Sequence, residues 1–193
     1  MTAALIDGVA IARTLYAGFK ERVAVLAQRG VRPGLAAILV GDNPASEVYV
    51  RTKARACAEV GVHSVQHRFA GNCTTAEVIA LIERLNAERE VHGILVQLPL
   101  PPQLEAGRIL QAVAPVKDVD GFNWQNLGAL VAGRPRFSPC TPLGVMAMLA
   151  HEKVAVEGRH AVVIGRSVIT TADRKSTRLN SSHSAKSRMP SSA

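Results

Sequence analysis

Apolar residues recur along the chain in two rhythms. Over residues 9–28, Ile11, Leu15, Phe19, Val23 and Leu26 follow helical spacing, and Gly30 supplies a stop. Leu35 to Val40 is instead a short unbroken apolar run, the pattern of a strand buried on both faces. Gly41-Asp42-Asn43-Pro44 predicts a turn into a helix over about residues 45–60, which Gly61 closes. A second strand is expected within 62–69. Thr74 and Glu77 have the spacing of a capping box, and Val78, Leu81, Ile82 and Leu85 then share one helical face. Gly93 to Leu98 reads as a third buried strand. Strands and helices in strict alternation, with both faces of the strands apolar, predict an α/β fold built on a parallel, right-handed sheet.

Further along the pattern weakens. A short helix is expected over about 103–113, followed by the polar turn Lys117-Asp118-Val119-Asp120-Gly121. Thr141-Pro142 suits a helix start, threonine as cap and proline at the first helical position, with the helix running to about His151. His160 to Gly165 reads as the first strand of a new α/β unit. The expected organisation is a catalytic-sized domain over 1–138, then a linker helix and one strand of a second domain over 139–169.

Charge alters the reading of the chain's last part. The 193 residues carry 23 Lys and Arg against 15 Asp and Glu, a formal +8 that invites a nucleic-acid partner. Half of that excess lies in Asp173 to Ala193, where Arg174, Lys175, Arg178, Lys186 and Arg188 face Asp173 alone. Seven serines crowd the same stretch, and its few apolar residues fit neither helical nor strand spacing. It could be a basic arm that grips phosphates. The preferred reading is that Asp-Arg-Lys-Ser-Thr-Arg-Leu-Asn-Ser-Ser-His is a sequencing-adapter oligonucleotide translated in frame, so 170–193 is set apart as a disordered, non-native tail. The remaining body lacks a basic stripe, and aromatic residues are only 4%, too few for base stacking.

Other classes are excluded more simply. At 48% hydrophobic and 20% charged, the chain can bury a core. No uncharged apolar run approaches the roughly 18 residues of a spanning helix, so no membrane partner is expected. Asp7, Arg13 and Lys20 interrupt the first residues, against a secretory signal. Cys57, Cys73 and Cys140 are widely spaced and form no metal-ligand pattern, so free thiols, no metal and a cytoplasmic location are expected.

Several places could carry chemistry. On the helix over 45–60, Ser46, Tyr49, Lys53, Ala56 and Val60 fall on one stripe that otherwise turns small and apolar. Burial disfavours a charged amine, so a lysine held there can exchange a proton with a substrate. The competing reading is a lysine whose ammonium reaches solvent. Gln97 stands at the end of the third strand, where ligands of open α/β sheets bind; it could equally satisfy loop backbone. Asp118 and Asp120 flank a turn and could be turn formers only. His63 and His67 alternate along one strand face without a third ligand nearby and read as edge residues. Gly165-Arg166-Ser167 follows a predicted strand, where glycine admits a phosphate and arginine suits the 2′-phosphate of NADP.

Five segments in order carry a more specific resemblance: Glu47-Val48-Tyr49-Val50-Arg51-Thr52-Lys53, Gly93-Ile94-Leu95-Val96-Gln97-Leu98-Pro99-Leu100-Pro101, Pro115-Val116-Lys117-Asp118-Val119-Asp120-Gly121-Phe122, Pro139-Cys140-Thr141-Pro142 and Val163-Ile164-Gly165-Arg166-Ser167. Together the chain resembles the bifunctional methylenetetrahydrofolate dehydrogenase/methenyltetrahydrofolate cyclohydrolase family over about residues 2–169. The resemblance implies an amino-acid-dehydrogenase-like catalytic domain followed by the start of a Rossmann-type NADP-binding domain. It implies tetrahydrofolate derivatives as substrates, NADP as cofactor, a homodimer, and a place in one-carbon metabolism and purine biosynthesis. By the same resemblance Lys53 is the catalytic lysine, Gln97 bonds and tunes it, and Asp120 holds the pterin ring. Tyr49 packs along the folate, Ser46, Leu98 and Pro99 line its site, and Gly165, Arg166 and Ser167 meet the cofactor phosphate.

After Ser167-Val168-Ile169 the chain departs from the family's Val-Gly-x-Pro turn. The expectation is therefore a chain cut within the cofactor domain, without dehydrogenase activity, whose cyclohydrolase activity is open. Two other classes remain: another two-domain NAD(P)-dependent dehydrogenase, which would share the architecture but not these motifs, and a basic nucleic-acid-binding module.

Overall fold

The structure is a computed structural model and describes residues 5–162 and 180–181. In order it contains α1 (Gly8–Gln28), β1 (Gly34–Val40), α2 (Pro44–Val60), β2 (His63–Phe69), α3 (Thr75–Ala87), β3 (Gly93–Val96), α4 (Ala106–Ala112), α5 (Trp124–Val131), α6 (Cys140–His151), β4 (His160–Ala161) and β5 (Asn180–Ser181). The main sheet is parallel, in the order β2-β1-β3, with Ala36 paired to Val65 on one side and to Ile94 on the other. The α/β parallel-sheet expectation holds.

The period-two geometry of β1 explains its continuous apolar run. Ala36, Ile38 and Val40 pack with Val78, Leu81, Ile82 and Leu85 of α3 and Ile109 of α4. Ala37 and Leu39, pointing to the opposite face, pack with Val50 of α2 and Leu95. A central strand covered by helices on both sides must be apolar at every position. β2 lies at the edge of this sheet, pairs among the described residues with β1 alone, and is mostly exposed, which fits His63 and His67 as edge residues.

Local chemistry sets the helix ends. Asn43 accepts from the Ala45 and Ser46 amides at 3.0 and 3.1 Å, and Pro44 occupies the first turn, so α2 begins directly after the predicted turn. Gly61 ends it in the left-handed region, φ 87°, which only glycine adopts freely. The Thr74/Glu77 capping box is present on α3: Glu77 accepts from the Thr74 amide at 2.7 Å, and the Glu77 amide donates to Thr74 Oγ1 at 3.3 Å.

Several expectations change. The α1 stripe has helical spacing but is not a buried face: only Ile11 is buried, while Leu15 and Phe19 are more than 40% exposed. α1 rests against α2 and also meets α6. α5 was not predicted; its eight residues begin at an Asn123 cap that accepts from the Gln125 amide at 2.9 Å. The helix expected over 103–113 is shorter, Ala106–Ala112. Thr141 is not the cap of α6. Extended Pro139 stands there, so Thr141 and Pro142 fall inside the first turn, where proline still costs no hydrogen bond. Although α6 is apolar in sequence, none of its residues is buried. Of the strand expected over 160–165, His160–Ala161 are described and the rest lies outside the described residues. The reading of the tail as lacking strand meets one exception, since Asn180–Ser181 pair in parallel with His160–Ala161. Such pairing uses backbone groups and needs no apolar side chain.

Candidate active site

The site is built where β3 ends. The Gln97 amide still donates to the Ile38 carbonyl at 2.9 Å, so the residue is held as a continuation of the sheet. Its side-chain Nε2 donates to the Leu98 carbonyl at 2.7 Å, which turns Oε1 the other way. There Oε1 accepts from Lys53 Nζ at 3.3 Å. Lys53 reaches this point because α2 crosses the face of β1 and presents Tyr49 and Lys53, one turn apart, to the same opening.

The third side comes from the turn after α4. The Ile94 amide donates to the Lys117 carbonyl at 2.7 Å, zipping the turn onto β3, and Lys117 Nζ donates to the carbonyls of Leu85 and Glu88 at the end of α3. Asp118 and Asp120, both open to a turn-forming role from spacing and only Asp120 assigned to the substrate by the resemblance, separate here. Buried Asp118 accepts from the Asn123 amide at 2.7 Å and from Asn126 Nδ2 at 2.9 Å, so it anchors the start of α5. Asp120 instead faces the opening. Gly121 makes the reversal possible, with φ 69° and no room for a side chain: a Cβ would lie 3.1 Å from the Ser138 carbonyl carbon and 3.2 Å from the Pro139 nitrogen.

Together these residues enclose a cavity of about 450 Å³. Of the residues assigned from sequence, Tyr49, Lys53, Gln97, Leu98 and Asp120 line it, and Val96, Phe122, Cys140 and Thr141 complete the wall. Burial, the largest influence, pushes the Asp120 carboxyl above its usual range. The Lys53 charge opposes that shift, the Asp118 charge adds to it, and a hydrogen bond from Cys140 opposes it. No metal-binding group of three or more His, Cys, Asp or Glu occurs among the described residues.

Other predicted site residues fare differently. The α2 stripe does not face the core as a unit: Ser46 and Val60 are buried, but Tyr49 is 62% exposed at the mouth of the cavity. Helical spacing gives a direction, and what lies in that direction changes from core to open cleft along the helix. Ser46 is not in the cavity wall, and its Oγ is buried without a hydrogen-bond partner. Pro99 is exposed outside the wall, after a cis Leu98–Pro99 bond. Gly165, Arg166 and Ser167 lie outside the described residues. Cys140 and Thr141 were not assigned to the site from sequence, although their Pro-Cys-Thr-Pro motif was visible. Nothing local links that motif to a turn twenty residues earlier.

A parallel α/β domain with a lysine, a glutamine and an aspartate converging beyond a strand end defines a small-molecule enzyme site of the open-sheet class. The profile described as the tetrahydrofolate dehydrogenase/cyclohydrolase catalytic domain matches residues 6–120, and that of the family's NAD(P)-binding domain matches 139–184. The chain belongs to the tetrahydrofolate dehydrogenase/cyclohydrolase family. It is 54% identical over 169 residues to the bifunctional protein FolD of Paraburkholderia phytofirmans, which covers 88% of this chain and 59% of that protein. Among solved structures, the bifunctional FolD enzyme of Campylobacter jejuni matches with a TM-score of 0.85 at 40% identity, covering 94% of this chain and 68% of its own. The Trypanosoma brucei enzyme, solved with NADP cofactor and inhibitor, matches at 0.85 and 33% identity, covering 93% and 65%. The chain thus spans about 59% of the length of the curated relatives it matches.

Proposed function

We propose that the whole protein oxidises 5,10-methylenetetrahydrofolate with NADP and hydrolyses the methenyl product to 10-formyltetrahydrofolate, and that the Lys53 cavity holds the folate. The observation that carries this reading is the Lys53 Nζ to Gln97 Oε1 contact at 3.3 Å inside a cavity shared with Asp120 and Tyr49. Membership of the family and the NADP complex of the trypanosomal relative support it.

The residues fit the chemistry. A pterin presents adjacent ring N–H and amino donors, and the two oxygens of the Asp120 carboxylate can accept both. Tyr49, exposed at the mouth, offers a ring for the folate's aromatic portion to pack on. In hydrolysis, water adds to the methenyl carbon and must lose a proton. Lys53 is the base at that step: an amine that donates one N–H to Gln97 turns the rest of its nitrogen to the cavity. The bond from the carbon to N5 then breaks as the remaining hydroxyl proton passes to N5, and the carbonyl so formed stays on N10 as the formyl group. NADP, when bound, accepts the hydride in the oxidation. Its proposed contacts Gly165, Arg166 and Ser167 lie outside the described residues.

The reading extends to a homodimer acting in the cytoplasm, within one-carbon metabolism and purine biosynthesis. The family resemblance supports each of these, and three unpaired cysteines suit a reducing compartment.

Calorimetric titration with 5-formyltetrahydrofolate, together with methenyltetrahydrofolate hydrolysis, tests the site. Asp120→Ala is expected to weaken binding about 10-fold to 100-fold, the loss of a charge-assisted hydrogen-bond pair. Lys53→Gln should leave binding within a few-fold and slow hydrolysis by about 100-fold or more. Undiminished hydrolysis by Lys53→Gln would overturn the catalytic assignment, and folate binding indifferent to Asp120 would overturn the site.

A further inference from the structure

We propose that Cys140 is a positioning residue of this cavity, its thiol tying the first turn of α6 to the turn that carries Asp120 and holding that carboxylate toward the substrate. Sγ of Cys140 donates to the Val119 carbonyl at 3.6 Å, the carbonyl of the peptide that joins Val119 to Asp120. Cys140 stands in the same cavity wall as Lys53, Gln97 and Asp120.

Its placement is set by packing. Pro139, buried, brings the start of α6 against Gly121, where only a missing Cβ allows the two backbones to approach. The cysteine that follows is thereby fixed over the Val119-Asp120 peptide. The chemistry of the thiol suits the task. Partial desolvation in the cavity wall and the neighbouring Asp120 charge push the thiol up, so it remains a protonated donor although the residue is exposed. Asp118 cannot substitute for Asp120, because its carboxylate is engaged by Asn123 and Asn126. The charged or titratable groups that bear on Asp120 are Lys53 from α2, Asp118 from its own turn and Cys140 from α6.

The inference rests on the folate reading of the cavity, but its test does not depend on folate alone. In protein labelled with ¹³C at aspartate carboxyls, the Asp120 resonance is titrated against pH in wild type, Cys140→Ser and Cys140→Ala. Serine keeps a donor at the same atom, and alanine removes it. Alanine is expected to move the Asp120 midpoint upward while serine stays near wild type. In parallel, 5-formyltetrahydrofolate binding should weaken about threefold to tenfold with alanine and less than twofold with serine, the range of a single lost hydrogen bond. Identical Asp120 titrations in all three proteins would overturn the proposal, as would serine and alanine behaving alike. If the midpoint moves with alanine but wild type binds no folate, the positioning role stands and the folate reading fails.

Discussion

Two aspartates two residues apart show how little a residue's identity says about its role. Asp118 spends its carboxylate on Asn123 and Asn126 and holds the turn together. Asp120 faces the cavity, where burial raises it above its ordinary value of 3.8 against the pull of Lys53 and Cys140. A carboxyl that binds its proton more tightly in the folded chain lends stability below its ordinary value and loses that contribution as pH rises through the raised one. Asp120→Asn, which carries no charge to bury, should therefore be more stable than wild type at neutral pH, with the difference shrinking as pH falls toward 4. Urea unfolding across that range measures it. A difference that is constant with pH, or a variant less stable at pH 7, would contradict the account.

At the scale of elements, the sequence was most legible where caps and strands are local. The Asn43-Pro44 start, the Gly61 stop and the Thr74/Glu77 box all stand where their residues predict, because each satisfies backbone groups within four positions. Thr74→Ala should cost about 1 kcal/mol, read as a lower urea midpoint at unchanged slope, with Thr74→Ser restoring most of it. Equal stability of the alanine variant would mean that the box is incidental to α3. Where capping is not local, reading failed. Thr141-Pro142 had the composition of a helix start, yet α6 begins earlier, at extended Pro139, whose position follows from its contact with Gly121. The eight residues of α5 escaped notice because a two-turn helix leaves hardly any periodicity, and its anchor is Asp118 rather than a sequence neighbour.

Across the whole molecule, β1 is the spine: α2 covers one face, and α3 with α4 covers the other. Ile82, fully buried in the second of these layers, should cost about 3 kcal/mol when replaced by alanine, a large share of a domain's net stability. Thermal or urea unfolding reads it, and a loss below about 1 kcal/mol would show that this face is not a packed core. The opposite pattern holds for α1 and α6, where apolar residues such as Val9 and Leu143 are more than half exposed. Spacing foretold α1 and a start signal foretold α6, but neither foretold burial, which needs a partner surface that local sequence does not name.

The sequence by itself determined the alternation of strands and helices, the caps that bound them, and the residue types able to move a proton and grip a polar ring. It also marked Lys53, Gln97, Asp120 and Tyr49, which the fold brings into one cavity. Tertiary structure alone decided that Asp118 is an anchor, that Tyr49 is at an open mouth, and that Cys140 belongs in the wall. Caps and periodicity are short-range and are written in neighbouring residues. A carboxylate's surroundings and a thiol's acceptor are assembled from segments 20 to 70 residues apart, and only the folded chain brings those together.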